Sequence, residues 1–488
     1  MTGRSTGRSA ERGGAPGSAR GTGPATARDT APAGAGPAGQ DRAGGTGDTG
    51  QDRAGGPRAT VRATERDTAP VGARGTGPAA ETGSAPAADP GGGRARTGAG
   101  DLLALVRSGR AVTRGALQQA TGLSRATVGQ RLDRLFRAGW LREGAVGPVG
   151  SPLGGRPSVT LEFDDTHAVV LAAELDTRHA RAAVLSLGGE VLAEHTGALL
   201  VEDGPEVVLG LLGAWFAGLL PAAGRRAEEV CGIGLAVPGP VDGATGRVVQ
   251  PPIMPDWDGY DIRGRLGRAF TEHTGADPVP VLVDNDANLM AYGEQRTGHP
   301  DCSAFVLVKV STGIGAGVVV DGALYRGVDG GAGDIGHIRV GADALCRCGS
   351  RGCLAAVASG GAVAARLAES GVPAASGSDV RDLLAAGHPQ AAALAREAGR
   401  AVGDVLATVV TLLNPGVLMI AGDLAGTAFL TGVRELLYQR ALPRSTAHLE
   451  VLTSRLGERA GLVGAGALVV EHLYAPGRVE ERLRALGL

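Results

Sequence analysis

The chain has 488 residues, a formal net charge of -2 and only five cysteines. So few cysteines cannot form a disulfide framework, and the amino terminus has no apolar signal segment, so a secreted, disulfide-stapled protein is excluded and a cytoplasmic, nucleoid-associated setting is expected. The near-neutral total hides an uneven distribution of charge along the chain.

Residues 1–100 contain no Leu, Ile, Phe, Trp or Tyr, and their only valines are Val61 and Val71. Such a segment cannot bury a core, so a disordered Gly/Ala/Arg-rich tail is expected. Its short internal copies, Arg28 to Pro32 at Arg66 to Pro70 and Gln40 to Gly45 at Gln51 to Gly56, resemble low-complexity drift rather than a solenoid. A solvated tail and a loose DNA-affinity arm both fit this composition.

Order is expected from Asp101, which can cap a helix to about Arg107. Residues 101–157 carry nine arginines against three carboxylates, a surplus of six positive charges. Thr113 to Gly122 reads as a short helix ended by glycine, and Ser124 caps a second helix from Arg125 to about Ala138. Helix, glycine turn and helix make a helix-turn-helix. Val128, Leu132 and Leu135 share the buried face of the second helix, while Thr127, Gln130, Arg131 and Arg134 recur on another at i, i+3, i+4 and i+7. With Arg125, these are the candidate contacts to bases and phosphates. Gly129 inside that helix costs about 1 kcal/mol relative to alanine. Trp140 to Glu143 and Val159 to Phe163 are the expected strands of a wing, and Arg156, between glycine and proline at its tip, suits either an A·T minor groove or a linker. A helical pair with a merely solvated basic face is the alternative, and the single sign of charge favours DNA.

Val/Ile/Leu runs at 168–175, 181–187, 231–237, 279–283, 304–310 and 316–320 alternate with helical stretches. They predict an α/β core of about 330 residues, natural for two lobes. The expected domains are a tail over 1–100, a winged helix-turn-helix over 101–163 and the core over 164–488. The most apolar carboxy-terminal stretch, 405–413, stops at Asn414-Pro415, well short of the roughly 20 residues that cross a bilayer, so no membrane partner is expected. Lys309 is the only lysine, which reads as coding bias rather than mechanism.

Three segments of the core carry chemistry. Val281 to Asn288 is a strand ending in Asp284-Asn285-Asp286, suited to binding hydroxyl groups and deprotonating one; a plain helix cap also fits Asp286. Phe305 to Val310 enters the turn Thr312-Gly313-Ile-Gly315-Ala-Gly317, whose amides can approach phosphate oxygens. Cys346-Arg-Cys348-Gly-Ser-Arg-Gly-Cys353, with His337 nine positions upstream, reads as a tetrahedral zinc site. The glycines at 349 and 352 let the backbone turn tightly enough for the three sulfurs to converge. Four protein ligands leave no open position, so this zinc is expected to be structural. Cys231 and Cys302 read as core residues.

Taken with Gly333-Asp334-Ile-Gly-His337, these segments resemble the ROK family of bacterial sugar kinases and sugar-responsive repressors, over residues 101 to about 475. The resemblance implies a two-lobed, actin-like ATPase (ribonuclease H-like) core with sugar in the interlobe cleft, preceded in the repressors by a winged helix-turn-helix. It makes Asp286 the counterpart of the catalytic base, Asn285 a sugar-hydroxyl ligand, Asp334 a shortened acidic ligand and His337 both a zinc ligand and a sugar contact. It also marks departures. An asparagine is replaced by Ile253, a glutamate after the last zinc cysteine by Ala355, and the kinase motif Asp-x-Gly-Gly-Thr by Glu174-Leu175-Asp176-Thr177-Arg178. With both glycines lost, Thr312, Gly313, Gly315 and Gly317 are a remnant of a phosphate site and no catalytic residue is expected. The reading is a DNA-binding regulator of carbohydrate metabolism genes, a homodimer or homotetramer whose cleft senses a sugar or sugar phosphate. The alternatives are an active sugar kinase with an accessory DNA module, and a ligand-independent DNA-binding protein using the core as a scaffold.

Overall fold

Two five-stranded sheets repeat one plan. In the first, β3 (Val169–Leu175), β4 (His179–Ser186) and β5 (Val191–Ala198) form an antiparallel meander, and β6 (Val230–Val237) and β7 (Val281–Asn285) add in parallel on the other side of β3. In the second, β8 (Ala304–Val310), β9 (Ile314–Val320) and β10 (Ala323–Leu324) form the meander, and β11 (Val417–Ala421) and β12 (Glu450–Thr453) add in parallel beside β8. Apolar runs such as Val169-Val-Leu-Ala-Ala are buried on both faces, as strands covered by helices on each side must be. The computed structural model describes residues 97–146, 159–341 and 343–488.

Between the sheets lie two helices, Asp286–Gly298 and Ala460–Leu473, in contact along their length. Small residues set their spacing: a Cβ on Gly293 would lie 2.5 Å from the Ala460 carbonyl oxygen, and one on Gly464 within 1.8 Å of the Leu289 carbonyl oxygen. Any side chain at either position would force the helices apart. The helix Pro205–Ala222 is long and apolar enough to cross a membrane. Its residues Val208, Leu209, Leu212 and Phe216 are instead buried in the first lobe with Trp257 and Phe270.

Ahead of the first lobe come the helices Ala99–Arg107, Arg114–Thr121 and Arg125–Arg137 and an antiparallel hairpin of β1 (Leu141–Val146) and β2 (Val159–Phe163). Thr113 and Ser124 cap the second and third helices by accepting the Ala116 and Thr127 amides at 3.1 Å, and Gly122 closes the second at φ +68°. The first helix begins three residues earlier than expected, at Ala99 with Gly98 as its cap. Asp101 sits in its first turn and reaches back to the Gly98 amide at 2.6 Å, so it does not occupy the cap position.

This amino-terminal module shares its core with the carboxy terminus. Leu102, Leu132, Leu135 and Trp140 are buried with Val470, Tyr474, Val479 and Leu483, so the helix Pro476–Ala485 packs with the module although it is remote in sequence. Arg482 stacks over both Trp140 and Tyr474 at 4.6 Å.

Candidate functional site

A cavity of about 320 Å³ lies between the sheets, within the range that holds a small ligand. It brings together Asn285, Asp286, Thr312, Gly313, Gly315, Asp334 and His337, the candidate ligand and phosphate-loop residues apart from Gly317. Ile253 and Ala355, the two apolar replacements read from the sequence, line it as well.

The end of β7 and the start of the following helix set most of the polar wall. Asn285 caps the helix, its Oδ1 accepting the Ala287 and Asn288 amides at 2.9 and 3.3 Å, while its Nδ2 donates to the Gly239 carbonyl at 3.1 Å. One N–H therefore remains for a ligand. The capping role belongs to Asn285, which leaves Asp286 inside the first turn. Asp286 Oδ1 accepts the Ala287 amide at 2.7 Å, and Oδ2 accepts the Lys309 ammonium at 2.6 Å. The only lysine of the chain is thus the ion-pair partner of Asp286, which composition alone did not reveal. Burial works against the Lys309 charge, but Asp286, Glu174 and Asp176 outweigh it and hold its pKa above the ordinary lysine range.

Asn288, from the polar cluster read at the end of β7, and Glu174, from the altered kinase motif, join the site although neither was among the candidate ligands. Asn288 donates to Asp284 at 3.0 Å, and its own Oδ1 is buried without a partner beside the cavity. Asp284 in turn holds Arg326 at 2.7 Å. Glu174 Oε1 lies 3.8 Å from Lys309. Burial pushes the Glu174 carboxyl up to about 7, with Lys309 opposing and Asp286 reinforcing the shift.

The residues standing where the kinase glycines would be form a closed hairpin turn. The Thr177 amide is taken by the Asp176 carboxylate at 2.5 Å, and the Asp176 amide by the His179 carbonyl at 2.9 Å. Burial works to raise the Asp176 pKa, but Lys309, the Thr177 amide and His179 outweigh it and hold it below the usual carboxylate value. The second glycine segment also differs from the expected turn. Only Ser311, Thr312 and Gly313 lie between β8 and β9; Gly315 and Gly317 are within β9, and a Cβ on Gly317 would fall 2.4 Å from the Ala287 carbonyl oxygen. Packing against the helix that starts at Asp286 accounts for that glycine.

The opposite wall is braced by His337, Cys346, Cys348 and Cys353, whose ligand atoms all lie within 4.8 Å of one another. His337 Nδ1 and Cys346 Sγ are 3.7 Å apart, and the Cys348 and Cys353 sulfurs 3.8 Å. A tetrahedral ion with sulfur ligands at about 2.3 Å separates them by about 3.8 Å, so the set fits zinc. Gly349 and Gly352 turn at φ +87° and +78°, as the spacing requires. Asp334 lies three residues from His337, and its pKa is raised by burial against the opposing charge of His337.

On the amino-terminal module Arg125 and Gln130 are exposed, and Thr127 hydrogen-bonds Ser124 at 2.9 Å. Arg131 is half-buried with its Nη1 unpartnered. Arg134 is engaged by the carboxy-terminal segment: its guanidinium donates to Glu480 at 3.1 Å and to the Leu488 carbonyl at 3.2 Å. Glu480 also accepts the Ala99 amide at 2.5 Å, joining the first and third helices to the carboxy-terminal helix. Arg156 and the wing tip lie outside the described residues.

The ROK family pattern matches residues 171–472, and the chain belongs to the ROK family. A protein described as a putative xylose repressor from Caldicellulosiruptor sp. (strain Rt8B.4) is 29% identical over 391 residues, covering 77% of this chain and 95% of the relative. A glucokinase from Thermotoga maritima is 32% identical, covering 59% of this chain and 93% of its own. The crystal structure of a ROK family transcriptional regulator, homolog of the E. coli MLC protein, superposes with a TM-score of 0.65 at 27% identity, over 79% of this chain and 98% of that one. The two-lobed architecture is the actin-like kinase fold of this family.

Proposed function

We propose that the protein is a DNA-binding transcriptional repressor of carbohydrate genes whose cleft senses a sugar and performs no phosphoryl transfer. The observation that carries this reading is the Asp176 carboxylate on the Thr177 amide, at the position where a transfer loop must offer bare amides to phosphate. A phosphate placed there would meet a carboxylate. The sugar side of the same cleft retains Asp286, Asn285, Asp334 and His337 around one cavity.

The module at 99–163 is the winged helix-turn-helix of this reading, with Arg125, Thr127, Gln130 and Arg131 toward DNA and Arg156 at the wing tip. Arg134 serves as a tether to the carboxy-terminal helix instead. The helix pair between the sheets supplies the connection. One helix begins at Asp286, and the other ends beside Tyr474, which packs on Trp140 and Phe163 with ring centroids 5.6 and 4.9 Å away. A sugar that prefers one cleft closure shifts this connection by its differential affinity for the two states. A two-fold operator would be met by a homodimer or homotetramer. Zinc bound by His337 and the three cysteines would hold the sugar wall in place without contributing a reactive position.

Retention of DNA from the gene's own upstream region, followed across a library of sugars, tests both halves together. A sugar that changes retention is expected, with no turnover of ATP in the same mixtures. Sugar-dependent ATP turnover abolished by Asp286→Ala would establish the kinase instead, and retention indifferent to every sugar would leave only a scaffold.

A further inference from the structure

A second cavity, of about 310 Å³, adjoins the sugar cavity, and Asp176, Lys309 and Ser311 line both. In a transferring enzyme a phosphoryl group would have to cross such a boundary between nucleotide and sugar. Lys309 stands on it. It projects from β8 of the second lobe, and both carboxylates it touches come from elsewhere: Glu174 on β3, and Asp286 at the head of the interlobe helix.

A transfer site needs cationic charge at this point to neutralise the phosphates, usually a divalent metal held by carboxylates. Here an ammonium on the protein's own chain supplies charge to the carboxylates, and they leave it little to spare. The other cations on the second cavity are committed too: Arg381 lies 3.1 Å from Glu458 and 3.6 Å from Asp423, and Arg181 pairs with Glu458. Glu174, Asp176, Asp423 and Glu458 therefore line that cavity against three cations that are already paired. On the sugar side, Arg347 is an exposed residue between two zinc cysteines. Asp286 keeps room for hydroxyl donors, because a carboxylate offers about four lone-pair sites and the Ala287 amide and Lys309 occupy two.

We propose that Lys309 is a tethered cation occupying the charge position of a metal–phosphate complex, so that the cleft takes a neutral, unphosphorylated sugar and admits neither a metal–nucleotide complex nor a sugar phosphate. The choice of sugar rests on the sensor reading above, whereas the tethered cation rests on the Lys309 geometry alone. A neutral polyol adds hydroxyl donors to carboxylates without displacing their counterion. A phosphate dianion brings like charge to Asp176 and Asp286, which costs roughly tenfold or more in affinity.

The full chain, loaded with zinc and carrying lysine labelled with nitrogen-15 at its ζ position, contains one labelled side chain. A single protonated ammonium signal is expected between about pH 6 and 9. It should shift on titration with xylose or glucose and stay in place with magnesium–ATP or glucose 6-phosphate at the same concentrations. Lys309→Met should gain one bound Mn²⁺ per chain by electron paramagnetic resonance, a site absent from the wild type and from Lys309→Arg and lost again on adding Asp286→Asn. A stronger response to glucose 6-phosphate or magnesium–ATP than to neutral sugars overturns the proposal, as does Mn²⁺ in the wild-type cleft. If no neutral sugar shifts the signal, the sensor reading falls. The manganese result then decides the tethered cation separately: a site gained in Lys309→Met supports it, and none gained refutes it.

Discussion

On the proposed reading the interlobe cleft has a sugar half and a former nucleotide half, built from the same pair of sheets, yet their polar groups are partnered differently. On the sugar side, polar groups keep unused hydrogen-bonding capacity: a spare Asn285 N–H, a buried, unpartnered Asn288 oxygen and free lone pairs on Asp286. On the nucleotide side the groups have been turned on one another, with Asp176 on its neighbour's amide, Arg381 and Arg181 on Glu458, and Lys309 on Asp286 and Glu174. On the proposed reading the cleft keeps its shape without the reaction, because self-satisfied polar groups fill the electrostatic role of a bound metal–phosphate.

The contrast depends first on the zinc proposed at His337 and the three cysteines. Replacing Cys353 with serine, or stripping the metal with a chelator, should remove one zinc per chain and cost several kcal/mol of stability, read by metal analysis and thermal melting. A protein that melts unchanged and still responds to sugar would separate the brace from the sugar wall. Next in size is the buried ion pair. Asp286→Asn leaves Lys309 without its nearest partner and should destabilise the fold by about 3 kcal/mol or more, while abolishing any sugar response.

Glu174 offers a pH test of the same wall. Its folded pKa is raised to about 7, so its stabilising contribution is complete below the unfolded value and is lost as pH rises through 7. Melting temperature should therefore decline between about pH 5 and 8 by an amount that Glu174→Gln removes. A difference between the two proteins that does not vary with pH would show that the carboxyl is not protonated in the fold. Smaller effects belong to the amino-terminal module. Arg131→Ala should weaken DNA binding by about 1 to 3 kcal/mol if it reads a base. Arg134→Ala should instead lower stability by about 1 kcal/mol and leave sequence preference unaltered, because its partners are Glu480 and Leu488.

What could be read from the sequence was whatever lay close together in it. The cysteine cluster, the capped helices at Thr113 and Ser124, and the strand ending in Asn285-Asp286 are local signals. Their geometry follows from spacing and turn chemistry. Pairings between distant segments left no such trace. Lys309 and Asp286 are 23 residues apart, and Arg134 and Glu480 are 346 apart. Helical periodicity placed Arg134 on a polar face correctly, but it cannot say that another helix covers that face. The glycines of β9 fit a packing role as well as a phosphate remnant: a Cβ on Gly317 would meet the Ala287 carbonyl of the crossing helix, a contact that the sequence alone does not reveal.

The difference between the two halves of the cleft is best measured by titrating a responding neutral sugar into the full-length, zinc-loaded protein by calorimetry, with and without saturating magnesium–ATP. Coinciding isotherms and no phosphorylated sugar in the cell are the predicted outcome. A sugar affinity shifted by about tenfold on adding magnesium–ATP, or a sustained heat of turnover, would mean that the nucleotide half of the cleft is still at work.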